Sequence, residues 1–304
     1  MPGCWAQRSW RDVVGGFGGH DRAGHRGAGV RARWSSRLLG VWTGAVVAFL
    51  FAPIFVVVLF SFNEPGRKLA NGAWVTGRYN YKWGRFSLNA WKEWNSYPEL
   101  TSAFTRSVRI ALVVVVISTI LGTLMSLALV KYHFKGKGLV NMLLVLPLTM
   151  PEIVLGFSLL TLFVTANVSR GLVTIVIAHV MFCVSYITTT VKARIRGFDW
   201  RLEEAAADLG AGAWRTFSKV TLPIISPGIA AAALLTFALS LDDFIITYLN
   251  SGRVETFPIK IWITKRSSIP PQINVFGSIV LLFSLALSIG GLMSQRRRNR
   301  LPLR

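Results

Sequence analysis

Acidic residues are scarce in this chain of 304 residues: 13 aspartates and glutamates stand against 34 lysines and arginines. Charged residues of both signs make up 15% of the sequence, whereas a soluble domain usually carries about 25%. Hydrophobic residues make up 52% and are gathered into long runs. This scarcity of charge excludes an ordinary soluble domain and predicts a protein that crosses a membrane several times.

Cysteine and histidine are also rare. The two cysteines, Cys4 and Cys183, lie in a basic N-terminal segment and in an apolar run, so no disulfide framework is expected. The four histidines are scattered, and their spacing predicts no metal site. The sequence lacks the Gly-x-x-x-x-Gly-Lys-Ser/Thr phosphate loop, so we expect this chain to bind no nucleotide and no other cofactor.

Six apolar runs are long enough to cross a bilayer as helices. They cover residues 38–62, 104–130, 139–166, 172–191, 225–249 and 273–293. Pro53 in the first run is compatible with a membrane helix, because neighbouring groups can satisfy the carbonyl that it frees. The predicted fold class is therefore an all-α membrane protein with six transmembrane helices.

Basic residues predict the orientation of these spans. They concentrate in four segments that an even number of spans places on one side: residues 1–37, 131–137, 193–224 and 295–304. By the positive-inside rule this side is the cytoplasm, with both termini in it. The first outer loop, residues 63–103, is also basic, but long loops weigh less in this rule. Because topology accounts for the net charge of +21, nucleic-acid binding is not expected.

The two ends of the chain differ from its middle. Residues 1–37 are rich in glycine and arginine and show no apolar periodicity, which predicts a disordered cytoplasmic tail. It is not a cleavable signal peptide, because the charged region is too long and the apolar run after it has full span length. The tail either binds anionic lipid headgroups or only retains the terminus in the cytoplasm. Residues 38–294 form the predicted membrane domain, and residues 295–304 a basic cytoplasmic C-terminus.

The first outer loop is rich in aromatic residues. Such residues favour either the bilayer interface or a surface on which another protein docks. They are Trp74, Tyr79, Tyr81, Trp83, Trp91, Trp94 and Tyr97.

A polar segment at residues 193–224 separates two of the spans. Residues 205–209 favour helix, and Gly210 is a typical helix end. A second short helix is expected to end at Pro223. Two short helices at the cytoplasmic face are suited to docking a soluble partner.

A motif in this segment resembles the EAA loop of binding-protein-dependent ABC importer permeases. The match consists of a Glu-Ala-Ala triplet, a glycine after three further residues, and a Leu-Pro pair. In that family the loop is the coupling helix that inserts into a cleft of the ATPase subunit. The resemblance implies the type I ABC importer permease fold, also called MetI-like. The implied ATPase-coupling residues are Glu204, Ala205, Ala206, Gly210, Leu222 and Pro223.

Three acidic residues lie within predicted spans. Glu152 follows Pro147 and Pro151, where the helix is expected to be broken, and Asp242 and Asp243 lie near the end of the fifth span. Charges inside a span tend to face a cavity or a partner. No basic residue is identified mid-span to pair with them, so a pathway that they line would favour a cation. Adjacent helical positions differ by about 100°, so the two aspartates are expected to point in different directions.

A packing role for these acids remains open. They can instead bond to backbone groups or to hydroxyls such as those of Ser240 and Thr247, and so fix helix packing. Tyr186 is a candidate polar group in the same pathway. His179 is interpreted as a hydrogen-bonded packing residue rather than a ligand.

Four segments resemble the spermidine/putrescine importer permeases, and specifically the second of their two permease subunits. They cover residues 146–156, 177–183, 203–227 and 240–244, and the resemblance extends over residues 38–293. The basic tail and the long aromatic loop depart from it. The resemblance implies polyamine passage across the bacterial cytoplasmic (inner) membrane through a candidate pathway at Glu152, Tyr186, Asp242 and Asp243.

The resemblance also implies partners. They are a second permease subunit in a heterodimer, two ATP-binding subunits that hydrolyse ATP, and a periplasmic or lipid-anchored substrate-binding protein. The chain itself is then not an enzyme.

Two other functions are weighed against this one. A proton- or ion-coupled secondary transporter would use the buried acids as relays and would need no ATPase, but the EAA-like loop argues against it. A permease of the same superfamily for ferric iron, thiamine or a phosphonate is the other alternative. The acidic residues in the spans argue against an anionic solute.

Overall fold

A computed structural model of the chain describes residues 25–64, 67–70, 73–76, 80, 82–266 and 269–299, with side chains described in 38–64, 80, 82–266 and 269–286. The statements below concern these residues. The chain divides into two compact units, Met1–Leu59 and Phe60–Arg304.

The described part of the first unit is helix α1, His25–Phe60, without its last residue, which belongs to the second unit; Pro53 lies inside the helix. Its apolar part, Leu38–Phe60, matches the first predicted span. The helix begins before residue 38, so part of the segment predicted to be disordered is helical. Residues 1–24 of that predicted tail lie outside the described residues.

The first outer loop contains short strands. Strands β1, Asn63–Glu64, and β4, Arg85–Phe86, pair antiparallel with Asn63 opposite Phe86. Strands β2, Arg67–Ala70, and β3, Ala73–Thr76, form a hairpin. The Asn63 amide donates to Asn80 Oδ1 at 2.6 Å, which fixes the strand pair to the rest of the loop.

The remaining elements are helices. They are α2 Asn89–Lys92, α3 Pro98–Lys131, α4 Lys137–Thr149, α5 Glu152–Thr165, α6 Leu172–Ile195, α7 Arg201–Asp208, α8 Ala213–Thr216, α9 Leu222–Asp242, α10 Ile245–Asn250, α11 Phe257–Thr264 and α12 Gln272–Asn299. A π-helical turn, Phe217–Thr221, joins α8 to α9.

Four described helices are long and apolar enough to cross a membrane: Leu38–Phe60, Pro98–Lys131, Leu172–Ile195 and Ala213–Asp242. The bent pair α4–α5 makes a fifth span if the two helices are counted together. The apolar part of α12 within the searched residues, Gln272–Ala286, is shorter than a full span. The structure therefore confirms a multi-pass α-helical membrane protein, with five of the six predicted spans recognisable by length and composition.

One predicted boundary in the C-terminal half is wrong. The fifth span was expected to continue to residue 249, but α9 ends at Asp242 and a separate short helix, α10, follows. Helix α11 lies between α10 and α12, outside the predicted spans.

Helices α3, α6 and α9 pack together as the centre of the second unit. Gly122 on α3 allows close approach to α6, since a Cβ atom there would lie 2.6 Å from Ile187 Cγ2. Beside it, the Ser126 hydroxyl contacts the carbonyls of Gly122 at 2.6 Å and Thr188 at 2.9 Å. Small and hydroxyl side chains of this kind let membrane helices pack closely without an unsatisfied polar group.

Candidate functional site: an acidic cavity and a coupling surface

Two breaks in apolar helices meet at one cavity of about 470 Å³. One break separates α4 from α5 and bends the chain by 111°. Pro147 and Pro151 account for it, because proline lacks the N–H that an unbroken helix requires. The other break separates α9 from α10 at Asp243, whose ψ of 124° is not helical. Irregular backbone at membrane depth is tolerated where it lines a cavity or is buried in protein.

The lining combines carboxylates with aromatic and aliphatic side chains. The residues are Pro147, Leu148, Met150, Glu152, Leu155, Phe182, Tyr186, Leu239, Asp242, Asp243, Phe244, Ile245 and Ile246. All four residues predicted for the pathway, Glu152, Tyr186, Asp242 and Asp243, are thus brought together from helices α5, α6 and α9 and the break that follows α9.

The two aspartates occupy different environments. Asp242 is the last residue of α9 and is exposed, whereas the Asp243 side chain is only 4% exposed. Asp243 Oδ2 accepts hydrogen bonds from the Thr247 backbone N–H at 2.7 Å and from its hydroxyl at 2.6 Å. Asp243 therefore caps the start of α10, while Asp242 and the exposed Glu152 present their carboxylates to the cavity.

His179 on α6 is buried and hydrogen-bonded on both ring nitrogens. Nδ1 lies 2.8 Å from Ser240 Oγ and Nε2 lies 2.9 Å from Thr247 Oγ1. The interpretation of His179 as a bonded packing residue is confirmed. Ser240 and Thr247 were considered as hydrogen-bond partners of the acids. In the structure Thr247 bonds to both Asp243 and His179, whereas Ser240 bonds to His179.

Two arginines, Arg106 and Arg109, lie near the start of the apolar helix α3, within the predicted span of residues 104–130 but not at its middle. They line a different groove, of about 590 Å³, together with Leu172 and Val176. Arg106 donates to the Glu255 backbone carbonyl at 2.6 Å. The acidic cavity itself is lined by no basic residue among those described, so its net charge is negative.

The residues predicted to couple to an ATPase lie on α7 and the segment after it. Glu204 and Ala205 are exposed, Ala206 is half-buried, and Gly210 ends the turn with a φ of +79°. This left-handed conformation suits glycine and confirms the predicted helix end. Leu222 and Pro223 do not end a second short helix as predicted. They begin α9, where proline at the first turn costs no hydrogen bond.

Glu203, one residue before the triplet, attaches α7 to the rest of the second unit. Its Oε2 lies 2.5 Å from Lys131 Nζ at the end of α3, and its Oε1 accepts from the Thr221 hydroxyl at 2.5 Å. Lys131 also lies over the Trp200 ring, 5.5 Å from its centre. Burial alone would raise the pKa of Glu203, but the hydrogen bonds from Lys131 and Thr221 and the Lys131 charge outweigh it and hold the pKa below its usual range.

Large apolar side chains beside the triplet are exposed. Leu209 is 89% exposed and Trp214 is 77% exposed, and Leu202 is also exposed. Together with Glu204 and Ala205 they form a surface that we call the coupling surface. Exposed apolar groups rimmed by charge are typical of protein docking sites.

Solved structures of bacterial transporters contain chains with a similar fold. The chain is similar to a chain of a bacterial ABC transporter involved in the import of the acidic polysaccharide alginate, with a TM-score of 0.61, 15% identity, and coverage of 87% of this chain and 96% of that one. It is also similar to a chain of an amino acid ABC transporter, with a TM-score of 0.53, 16% identity, and coverage of 70% and 100%. These likenesses show that the chain shares its fold with chains of ABC transporters.

Sequence comparison identifies the family. Residues 118–300 match the model for the binding-protein-dependent transport system inner membrane component. The chain is 34% identical to the spermidine/putrescine transport system permease protein PotC of Haemophilus influenzae, over 84% of this chain and 95% of the relative. It is 34% identical to the putrescine transport system permease protein PotI of Escherichia coli K12, over 77% and 82%. The chain therefore belongs to the family of binding-protein-dependent transport system inner membrane components, and it is a transport permease rather than an enzyme.

Proposed function

We propose that this chain is a permease subunit of an ATP-driven importer and passes polyamines, putrescine or spermidine, across the bacterial cytoplasmic membrane. The observation that carries the proposal is the acidic cavity at the two helix breaks. The polyamine systems named for its relatives support the choice of solute.

A polyamine fits the chemistry of this cavity. It is a flexible chain with ammonium groups and apolar segments between them. The exposed carboxylates of Asp242 and Glu152 match the ammonium groups, and Leu155 and Leu239 match the methylenes. The rings of Phe182, Tyr186 and Phe244 add faces on which a cation is attracted by cation–π interactions.

The broken helices contribute to the same selectivity. The C-terminal ends of α4 and α9 reach the cavity through Met150 and Asp242. Backbone carbonyls at the end of a helix carry partial negative charge and favour a cation. Discontinuous helices of transporters use their ends in this way to bind solutes and coupling ions.

The coupling surface supports an ATPase partner. In the proposed assembly this chain forms a heterodimer with a second permease subunit and two ATP-binding subunits, and a substrate-binding protein delivers the polyamine at the outer face. ATP binding closes the ATPase subunits, α7 moves with them, and the spans change from inward- to outward-facing. This chain binds no nucleotide itself, and both its termini lie in the cytoplasm.

Uptake into proteoliposomes tests the proposal. The complete importer would be reconstituted with ATP inside and the binding protein outside, and radiolabelled putrescine and spermidine would be compared. We expect uptake that requires both ATP and binding protein. Uptake that is driven by a proton gradient without ATP would show a secondary transporter instead. Absence of uptake of either label, in an importer whose ATPase responds to its own binding protein, would overturn the polyamine assignment.

A further inference from the structure

The break between α9 and α10 contains none of the residues that usually interrupt a helix. Residues 240–247 read Ser-Leu-Asp-Asp-Phe-Ile-Ile-Thr and contain neither proline nor glycine. Isoleucine, leucine and phenylalanine at these positions are compatible with a continuous helix. Sharp interruptions of a helix otherwise arise from proline, glycine or a side chain that enters the backbone hydrogen-bond ladder. The cause of this break therefore lies in side-chain contacts.

His179 bridges the break from the neighbouring helix. Its ring contacts Ser240, on the α9 side, and Thr247, on the α10 side. Nε2 also lies 3.3 Å from Asp243 Oδ2. His179 is 1% exposed and Thr247 is 1% exposed, so water does not compete for these contacts.

The protons of this network can be assigned by counting donors. The Thr247 hydroxyl has one proton, which it donates to Asp243 Oδ2. Its oxygen is then an acceptor for His179, so His179 Nε2 carries a proton and donates it. In the neutral ring Nδ1 is then an acceptor for the Ser240 hydroxyl. Each group on this path has a partner, which makes the arrangement specific.

We propose that His179 is a positioning residue that holds Thr247 and Asp243 in the cap of α10, and that it thereby leaves Asp242 and Glu152 as the two acids that meet the solute. Asp243 also lines the cavity, but its Oδ2 is engaged, because both hydrogen bonds from Thr247 and the neighbouring imidazole N–H converge on that atom. Without His179, Thr247 loses a donor and the helix can continue through residue 243. Only the statement that Asp242 and Glu152 meet the solute rests on the proposed function; the positioning role of His179 does not.

Three substitutions of His179 distinguish the contribution of its Nδ1 contact from that of its Nε2 contact. His179→Gln keeps an N–H donor near the Nε2 position, His179→Asn keeps an acceptor near the Nδ1 position, and His179→Leu keeps bulk but neither group. We expect His179→Gln to retain at least half of the wild-type maximal uptake rate, and His179→Asn and His179→Leu to lose about tenfold or more. Ser240→Ala should cost less than twofold, because it removes only the contact on the α9 side.

A distance measurement tests the geometry without transport. Spin labels at Ile224 on α9 and Tyr248 on α10 would be introduced in an importer in which Cys4 and Cys183 are replaced by alanine; both labelled side chains are exposed. We expect one narrow distance distribution in the wild type and in His179→Gln. In His179→Leu and His179→Asn the distribution should broaden or move to a longer distance, as the helix straightens.

The outcomes distinguish this inference from the proposed function. Unchanged distances in all three variants would overturn the positioning role, whatever the solute. Equal loss of uptake in His179→Gln and His179→Leu would also overturn it, because simple ring packing would then suffice. If the distances change as expected but the wild-type importer does not carry polyamines, the positioning role stands and the assignment of the solute fails.

Discussion

At the residue scale, two adjacent aspartates have separate tasks. Asp242 ends α9 and is exposed. The Asp243 carboxylate is nearly buried and accepts hydrogen bonds from the backbone N–H and the hydroxyl of Thr247. The difference arises because the helix stops between them. In a continuous helix both side chains would project from the same cylinder, about 100° apart.

Substitution of each aspartate should therefore give a different defect. We expect Asp242→Asn to lower the maximal rate of polyamine uptake about tenfold or more while the assembled importer is recovered in normal amounts, because one exposed carboxylate is lost.

Asp243→Asn should reduce the free energy of unfolding by about 1–3 kcal/mol, because a charged cap of α10 is lost. Uptake assays and thermal unfolding of the purified complex measure the two effects. Glu93→Gln, an exposed acid outside the cavity, is the control; identical phenotypes for the two aspartates would contradict the assignment.

The Lys131–Glu203 pair predicts a pH dependence. The pKa of Glu203 is lower in the folded protein than its ordinary value, so the pair stabilises the fold above the unfolded pKa of about 4.3. That stability is lost as the pH falls through the folded pKa. Because Lys131 is 42% exposed, the effect is about 1 kcal/mol or less.

Thermal unfolding of Glu203→Gln at two pH values measures this dependence. The variant should unfold at a lower temperature than the wild type at pH 7, and the difference should shrink once the pH is well below about 4. Glu204→Gln is the matched control, because its carboxyl is exposed and makes no side-chain bond among the described residues. A difference between wild type and Glu203→Gln that is constant with pH would show that the pair does not stabilise the fold through its charge.

The sequence predicted the acids and Thr247 as a partner of one of them, but not the contact with His179. Any acid in an apolar run is visible as an exception to its neighbours, so Glu152, Asp242 and Asp243 were found directly. Asp243 also lies 3.3 Å from Nε2 of His179, which is more than sixty positions away in the chain, and no local pattern encodes that contact. Arg106 and Arg109 were not singled out, because they occur near the N-terminal end of a long apolar helix, where two charges lower the mean hydropathy only slightly.

At the element scale, α5 and α10 form a tight pair beside the cavity. Gly156 provides the space, since a Cβ atom there would lie 2.8 Å from Leu249 Cδ1 and 3.4 Å from Ile246 Cα. The Asn250 amide donates to the Gly156 carbonyl at 3.2 Å and to the Ile246 carbonyl at 2.9 Å. The two half-helices that begin at the breaks are therefore fixed to each other.

A larger side chain at Gly156 should separate α5 from α10. We expect Gly156→Val to destabilise the complex by about 1–3 kcal/mol, as overpacking does, and to abolish most uptake. Gly138→Val is the control, because a Cβ atom there meets nothing within 4 Å. Thermal unfolding and uptake of the two variants would be compared, and wild-type behaviour of Gly156→Val would show that the pair can separate without cost.

The two breaks were not equally predictable. The break between α4 and α5 was expected from Pro147 and Pro151, whose ring chemistry acts locally. The break between α9 and α10 was not expected, because the residues around it combine a local bond from Thr247 to Asp243 with a contact between Thr247 and the distant His179. Helix α11 was missed because it is only eight residues long and lies between polar residues, in what reads as an outer loop.

At the scale of the whole molecule, the coupling surface and the acidic cavity are built on connected elements. The coupling surface lies on α7, α8 and their connection, and α9 continues from there to Asp242. Lys131 and Glu203 tie α7 to α3 as well. A force on α7 thus reaches two long helices of the second unit.

Loss of the exposed apolar groups should weaken the ATPase contact. We expect Leu209→Ala and Trp214→Ala each to lower the affinity of the ATP-binding subunit for the purified permease pair about tenfold or more, as removal of an interface anchor does. Phe86→Ala, which removes an exposed ring from the first outer loop, is the control and should have no effect. Titration of labelled ATP-binding subunit gives the affinities. Full affinity in both coupling variants would contradict docking at this surface.

The turn at Phe217–Thr221 gives the coupling surface a further property. A π-helical turn holds one residue more than the α-helical hydrogen-bond pattern accommodates. Moving that residue out of the turn changes the screw register between α8 and α9, and one position of register corresponds to about 100° of rotation and 1.5 Å of advance. Loss of the extra residue from this turn would therefore rotate α8, with its part of the coupling surface, relative to α9 by about 100° for each position of register.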